Sequence, residues 1–312
     1  MSNGLLYNAE YDPNLNITTL YDRNGDVITS FNQPTAQPRD DSLLPLRLVA
    51  KEAGSSVTLT GGRVTGYVDF SMNNREWQSY TSGTQISLPN VNDSVWFRVS
   101  TNVIQTYDNA MNFSMTGSIE AWNNVQSLSR KSFENISTAT ATAFLRLFQN
   151  CTRLIKAPLL TATTINTHSY TYMFDGCTRL VNAPDLPATT LNGGYAYMFR
   201  NCSSLVNIPA ILPCTSLPNI AYQYMFYGCR SITKAPELPA LTVPSSGYNE
   251  MFDGCSSLNW VKVHATDISA LYATFGWLNG VAATGDFYCN PNTAWASGAD
   301  GIPTGWTRHG LS

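Results

Sequence analysis

Charged side chains are scarce in this 312-residue chain: 18 Lys+Arg and 21 Asp+Glu make up 12% of it, about half the fraction usual in soluble domains. A net charge of −3 leaves no basic stripe to neutralise phosphates, which argues against a nucleic-acid partner. Long apolar runs are missing as well, and no stretch approaches the roughly 18 consecutive apolar residues of a membrane span. Aromatics at 12% with so little charge speak against wholesale disorder. The opening residues, from Met1 through Asp12, contain neither a basic segment nor an apolar run of the kind that begins a secretory leader. The first cysteine is Cys151, so no N-terminal lipid-bearing Cys is expected. Together these absences lead us to expect synthesis in a cytoplasm.

Reactive motifs are missing too. The three histidines, His168, His264 and His309, lie far apart in sequence. No zincin pair, nucleophile elbow or phosphate loop occurs. No Cys-x-x-Cys pair and no Cys/His cluster has zinc spacing. Asp175 and Asp253 occupy equivalent places beside a glycine and read as solvated turn residues rather than an acid/base pair. The expectation is a protein that is not an enzyme, with no catalytic residue, no cofactor and no metal.

What the sequence does contain is a repeat. Cys151, Cys177, Cys202, Cys229 and Cys255 are separated by 26, 25, 27 and 26 residues, a period that marks stacked repeat units. The shared frame is Phe-x-x-Cys-x-x-Leu. It places Phe148, Cys151 and Leu154 in the first unit, then Phe174, Cys177 and Leu180, then Phe199, Cys202 and Leu205. Phe226, Cys229 and Ile232, then Phe252, Cys255 and Leu258, complete it. These fifteen are the expected repeat core. Pro158, Pro184, Pro209 and Pro236 each follow the Cys by seven residues; Lys262 stands there in the fifth unit, so the array is expected to be ending.

Tyr170/Phe174, Tyr195/Phe199, Tyr222/Phe226 and Tyr248/Phe252 are spaced i, i+4, which predicts one face of a short helix in each unit. Gly176, Gly228 and Gly254, or Asn150 and Asn201, follow the Phe by two and suit a left-handed helix end. A short strand is expected next, near 180–183 and its equivalents. Free Cys is among the most buried residue types, so the cysteine column reads as packing rather than as a redox or metal ladder. Cys214 and Cys289 fall outside it and would pair only if the fold brought them together.

The Phe-x-x-Cys-x-x-Leu frame, with Ala-Pro-x-Leu-Pro-Ala after it, resembles the BspA-like leucine-rich repeats of Bacteroides-type gut bacteria and their phages. The resemblance covers about residues 140–312. It implies an α+β fold in which a leucine-rich-repeat solenoid ends in a C-terminal cap. Before the repeats, Val57/Leu59, Tyr67/Asp69/Ser71 and Val95/Phe97/Val99 alternate with a period of two, which predicts a small β-sandwich. The expected organisation is an extended anchoring arm at 1–42, a β-sandwich module at 43–120, the repeats with their N-terminal cap at 121–262, and a C-terminal cap at 263–312. Within the arm, Asn24-Gly25 suggests a hairpin between Thr18–Tyr21 and Asp26–Thr29.

One candidate binding feature stands out. Tyr172, Tyr197 and Tyr224 each sit two residues before a repeat Phe, with Tyr227 nearby, and would stack across three units. Such a ladder suits glycan or protein contacts; the alternative is a second packed layer. The resemblance, with the absent leader, implies a virion protein of a phage, such as a head fibre, decoration or tail-associated protein. It would bind other virion proteins through the arm and a host surface protein or glycan through the repeats, and a homotrimer is compatible with that role. The alternative is a bacterial cell-surface adhesin.

Overall fold

The computed structural model describes the backbone of residues 8–12, 17–21 and 27–32 and, with side chains, residues 40–103, 105–133 and 136–311. The chain divides into two units, Met1–Asp40 and Asp41–Ser312. In the first, Asn8–Asp12, Ile17–Tyr21 and Val27–Asn32 form an antiparallel three-stranded sheet. This corrects the extended arm. Leu20 pairs with Thr29 and Thr18 with Phe31, as the hairpin reading requires; Asn24-Gly25 itself, with Pro34 and Pro38, lies outside the described residues.

In the second unit, alternation of apolar and polar residues builds two sheets. Ser55–Thr60 lies between Asn112–Thr116 and Gln85–Leu88. The other sheet has six strands, ordered Leu154–Lys156, Ile119–Trp122, Leu46–Ala50, Ser94–Val99, Val68–Ser71 and Gln78–Ser79. Their apolar faces share one core, with Phe97 of the second sheet 5.2 Å from Phe113 of the first. The six-stranded sheet crosses the boundary expected at residue 120. Ile119–Trp122 pairs antiparallel with Leu46–Ala50 on one side and parallel with Leu154–Lys156 of the first repeat on the other.

The α+β leucine-rich-repeat solenoid is corrected by the structure. The fold is nearly all β, 27% strand and 4% helical, with several small sheets and no solenoid closure. Among the described residues the helical ones are three short 3-10 turns, Asp41–Leu43, Tyr107–Asn109 and Val125–Leu128, all before the first repeat. Where helices were expected, the backbone makes consecutive turns. In the second unit the N–H groups of Met173, Asp175 and Cys177 donate to the carbonyls of Tyr170, Tyr172 and Phe174. The intervening N–H groups of Tyr172, Phe174 and Gly176 donate instead to Ala196, Met198 and Arg200 in the next unit. A helix would keep all of these bonds inside the segment; here alternate ones tie neighbouring units together. The expected strand near 180–183 shrinks to an isolated bridge between Asn182 and Asn207, because Pro184 and its equivalents interrupt pairing.

Stacking brings like residues into columns. Phe113, Phe148, Phe174, Phe199, Phe226 and Phe252 stack with centroids 5.3–5.7 Å apart. A parallel column runs Phe144, Tyr170, Tyr195, Tyr222, Tyr248 and Trp277. All fifteen expected core residues are buried. Each column thiol donates to the Phe carbonyl one unit back: Cys177 to Phe148, Cys202 to Phe174, Cys229 to Phe199 and Cys255 to Phe226, at 3.0–3.1 Å. Burial raises the pKa of all five, Cys151 included. Cys214 and Cys289 are also buried and free. No cysteine is therefore expected to react with a disulfide reagent at pH 8 in the native protein, and all seven on denaturation; fast reaction of any column thiol without denaturant would contradict the packing.

The turn run continues past the expected end of the array. Residues 271–280 repeat it, with Trp277 stacked 5.9 Å from Tyr248. A parallel sheet of Trp260–Val263, Gly285–Cys289 and Trp306–Gly310 follows the last repeat.

The turns need left-handed residues at regular intervals. Tyr172, Tyr197 and Tyr224 have φ of 57°, 60° and 55°, and Asn150, Gly176 and Asn201 have 62°, 74° and 61°. Asn and Gly accept this conformation easily. Ile220, with φ 61°, does not, because a β-branched side chain clashes there. It is also exposed, so little packing is lost on truncation. Ile220→Gly is expected to stabilise the protein by roughly 1 kcal/mol, read as a higher midpoint in urea; a lower midpoint would contradict the strain.

Candidate binding face

The left-handed turn aims Tyr172, Tyr197 and Tyr224 outward while Phe174, Phe199 and Phe226 point in. The three phenol rings stack at 4.4 and 4.7 Å, with interplanar angles of 21° and 10°. All are half-buried. Tyr227 leans on Tyr224 at 5.7 Å, and the Tyr224 hydroxyl donates to Glu250 Oε1 at 2.8 Å. The faces of these rings are therefore largely spent on one another, and the half-buried rings meet the solvent by their edges. A stacking platform for sugar rings would need a free face, which this ladder does not offer along its length.

Burial pushes the Tyr197 hydroxyl up to about 12, reinforced by Tyr172 beside it. Burial also raises Tyr172 and Tyr224, the latter with help from Glu250. In the unfolded chain these phenols titrate near 10. Their contribution is thus complete below about pH 10 and is lost as pH rises toward the native values. An ultraviolet titration should show ladder ionisation delayed beyond that of free tyrosine, with stability falling between pH 10 and 12. Ladder titration at the ordinary value would count against this.

Residues that the sequence pattern did not single out complete the face. Arg200 forks onto Asp175, with Nε donating to Oδ1 at 3.0 Å and Nη2 to Oδ2 at 2.9 Å. Its guanidinium also lies 5.4 and 5.3 Å from the Tyr172 and Tyr197 ring centroids. Asp175 is buried, which corrects its reading as a solvated turn residue; Gln149 donates to it as well, at 2.9 Å. Asp253 is half-buried and accepts from Asn279. Arg146, one unit before Tyr172, lies 4.6 Å from the Tyr107 ring and 5.6 Å from that of Tyr172. The available signal was positional: Arg146 fills the tyrosine position in its own unit, just as Glu250, which the sequence pattern does place at the end of the stripe, fills it in the unit after Tyr224.

A second aromatic row lies on the last parallel sheet. Lys234 Nζ sits 3.9 Å over Trp260, Trp260 is 5.5 Å from Tyr288, and Tyr288 stacks 4.5 Å from His309. His309 Nε2 is 2.7 Å from Asp286, and His264 Nε2 is 2.6 Å from Glu237. His264 and His309 thus sit with different carboxylates, while His168 lies edge-on to Tyr107 at 5.8 Å. Among the described residues no group of His, Cys, Asp and Glu is arranged to hold a metal ion, and no helix is long and apolar enough to cross a membrane. Comparison with protein-family models, curated proteins and solved structures finds no match.

Proposed function

We propose that this chain is a non-enzymatic structural protein of a phage virion, in a head fibre, decoration or tail-associated role. Residues 1–42 hold it to other virion proteins, and the repeats touch a protein or glycan on the host surface. The observation that carries the adhesive part is the aligned strip of phenol edges, guanidiniums and amides along consecutive repeats, on a chain with only 12% charged residues. Such a strip makes many weak directional contacts, and multivalent display on a particle multiplies them. The anchoring part is supported by the division of the chain into two units, of which Met1–Asp40 is one.

Mass spectrometry of purified virions tests the location. The chain is expected among the particle proteins. Its absence from virions, with presence on a bacterial envelope, would replace this reading with that of a cell-surface adhesin. Light scattering of the purified chain tests the homotrimer.

A further inference from the structure

At the end of the tyrosine ladder a cleft of about 270 Å³ opens beside Tyr107, with Asp108, Asn112, Phe113, Arg146 and Gln149 among its lining. We propose that it binds one neutral hexopyranose unit of a host glycan. The inference rests on the adhesive reading above and gives it a ligand class and a place.

Two charged side chains at the cleft, Arg146 and Asp108, are not paired with each other. Arg146 is fixed between the Tyr107 and Tyr172 rings, and its Nη2 donates to the Tyr107 hydroxyl at 3.0 Å. Among the described residues it has no carboxylate within ion-pair distance, and Asp108 has no cation. An anionic sugar entering the cleft would meet Asp108, and a cationic one would meet Arg146. A neutral polyol uses both, because a carboxylate accepts from adjacent hydroxyls and a guanidinium donates to hydroxyl or ring oxygens.

The remaining groups fit the same ligand. The Tyr107 hydroxyl accepts from Arg146 and keeps its own proton to donate. Asn112 spends its amide N–H groups on the Arg146 and Gln149 carbonyls, which leaves its side-chain oxygen as an acceptor. Gln149 spends its N–H on Asp175 in the same way. Arg146 lies over one face of the Tyr107 ring at 4.6 Å; Tyr107 is 43% exposed, and its remaining ring surface is what it offers to sugar C–H groups. Unlike the ladder rings, it has no parallel-stacked ring partner, since its contact with His168 is edge-on at 5.8 Å. A cleft this polar and open binds weakly by itself, which suits a site used many times on one particle.

Saturation-transfer NMR on the full chain, with methyl glucoside, galactoside and mannoside as probes and methyl glucuronide as the acidic comparator, tests the proposal. At least one neutral hexoside is expected to show transfer, and the glucuronide less. Asp108→Asn, an exposed change away from the core, and Arg146→Gln are each expected to weaken it about tenfold with an unchanged melting temperature. Val181→Ala, an exposed change outside both the cleft and the tyrosine strip, should leave it unaltered. No transfer from any hexoside, a preference for the glucuronide, or full binding by Asp108→Asn would each overturn the assignment. A chain found in virions that fails with hexosides sinks this inference alone; one that binds hexosides but is absent from virions sinks the virion reading alone.

Discussion

Phe199→Ala is expected to cost about 3–5 kcal/mol of stability, on the order of 10 °C in melting temperature for a unit of this size. Phe199 is fully buried, with Phe174 stacked on one face at 5.5 Å and Phe226 on the other at 5.6 Å. Removing the ring opens a cavity in mid-column, and the flanking backbone has little freedom to close it. The Phe199 N–H donates to Met225 in the next unit, and its carbonyl accepts both the Cys202 N–H and the Cys229 thiol. These bonds hold the neighbouring units at their spacing, so the gap persists. Phe199→Leu refills part of the space and should cost distinctly less. Differential scanning calorimetry on the two variants checks this; a shift of less than about 2 °C for the alanine variant, roughly a fifth of that expected, would mean that the column is not what holds the units together.

How much of this was legible follows from the same residues. The Phe-x-x-Cys-x-x-Leu frame gives the period and the inward column, because buried aromatic and thiol positions must recur wherever like units stack. It does not give the backbone between them. A Tyr and a Phe four residues apart share a face on a helix, and they also share one on consecutive turns that each close with an i→i−3 bond. What separates the two is the left-handed residue every fourth position. Tyr172, Tyr197 and Tyr224 hold that position, and tyrosine carries no preference for it, so composition was silent. The strain is offset by bonds to the next unit, which a single unit's sequence cannot display. The cleft was illegible for a related reason. Tyr107 and Asp108 come from a 3-10 turn before the repeats, and only the packing of that turn against the first unit sets them beside Arg146.

Arg200→Ala is the second large effect expected, and its size depends on what is left behind. Asp175 is 3% exposed, and Arg200 supplies two of the three side-chain hydrogen bonds that it accepts, Gln149 the third. Removing the guanidinium strands a buried carboxylate with one amide donor. Breaking a buried pair from one side typically costs about 3–5 kcal/mol. The Arg200 side chain is one-third exposed, so water reaches the vacated place, and about 2–3 kcal/mol is expected here. Asp175→Asn should cost less, because the amide is nearly isosteric and the arginine left alone is open to solvent. The double variant should then be more stable than the sum of the single losses predicts, by roughly 1–2 kcal/mol of coupling. Urea unfolding of the four proteins measures it, and the coupling should survive in 0.5 M salt because one partner is buried. Coupling below about 0.5 kcal/mol, the usual scatter for independent sites, would mean that Asp175 finds its solvation elsewhere. Arg200→Lys separates charge from shape: a lysine restores the charge but not the fork, so it should recover only part of the loss. It should also leave the Tyr172–Tyr197 stack without the guanidinium that lies 5.4 and 5.3 Å from its two ring centroids, which ties the stability of this pair to the order of the tyrosine strip.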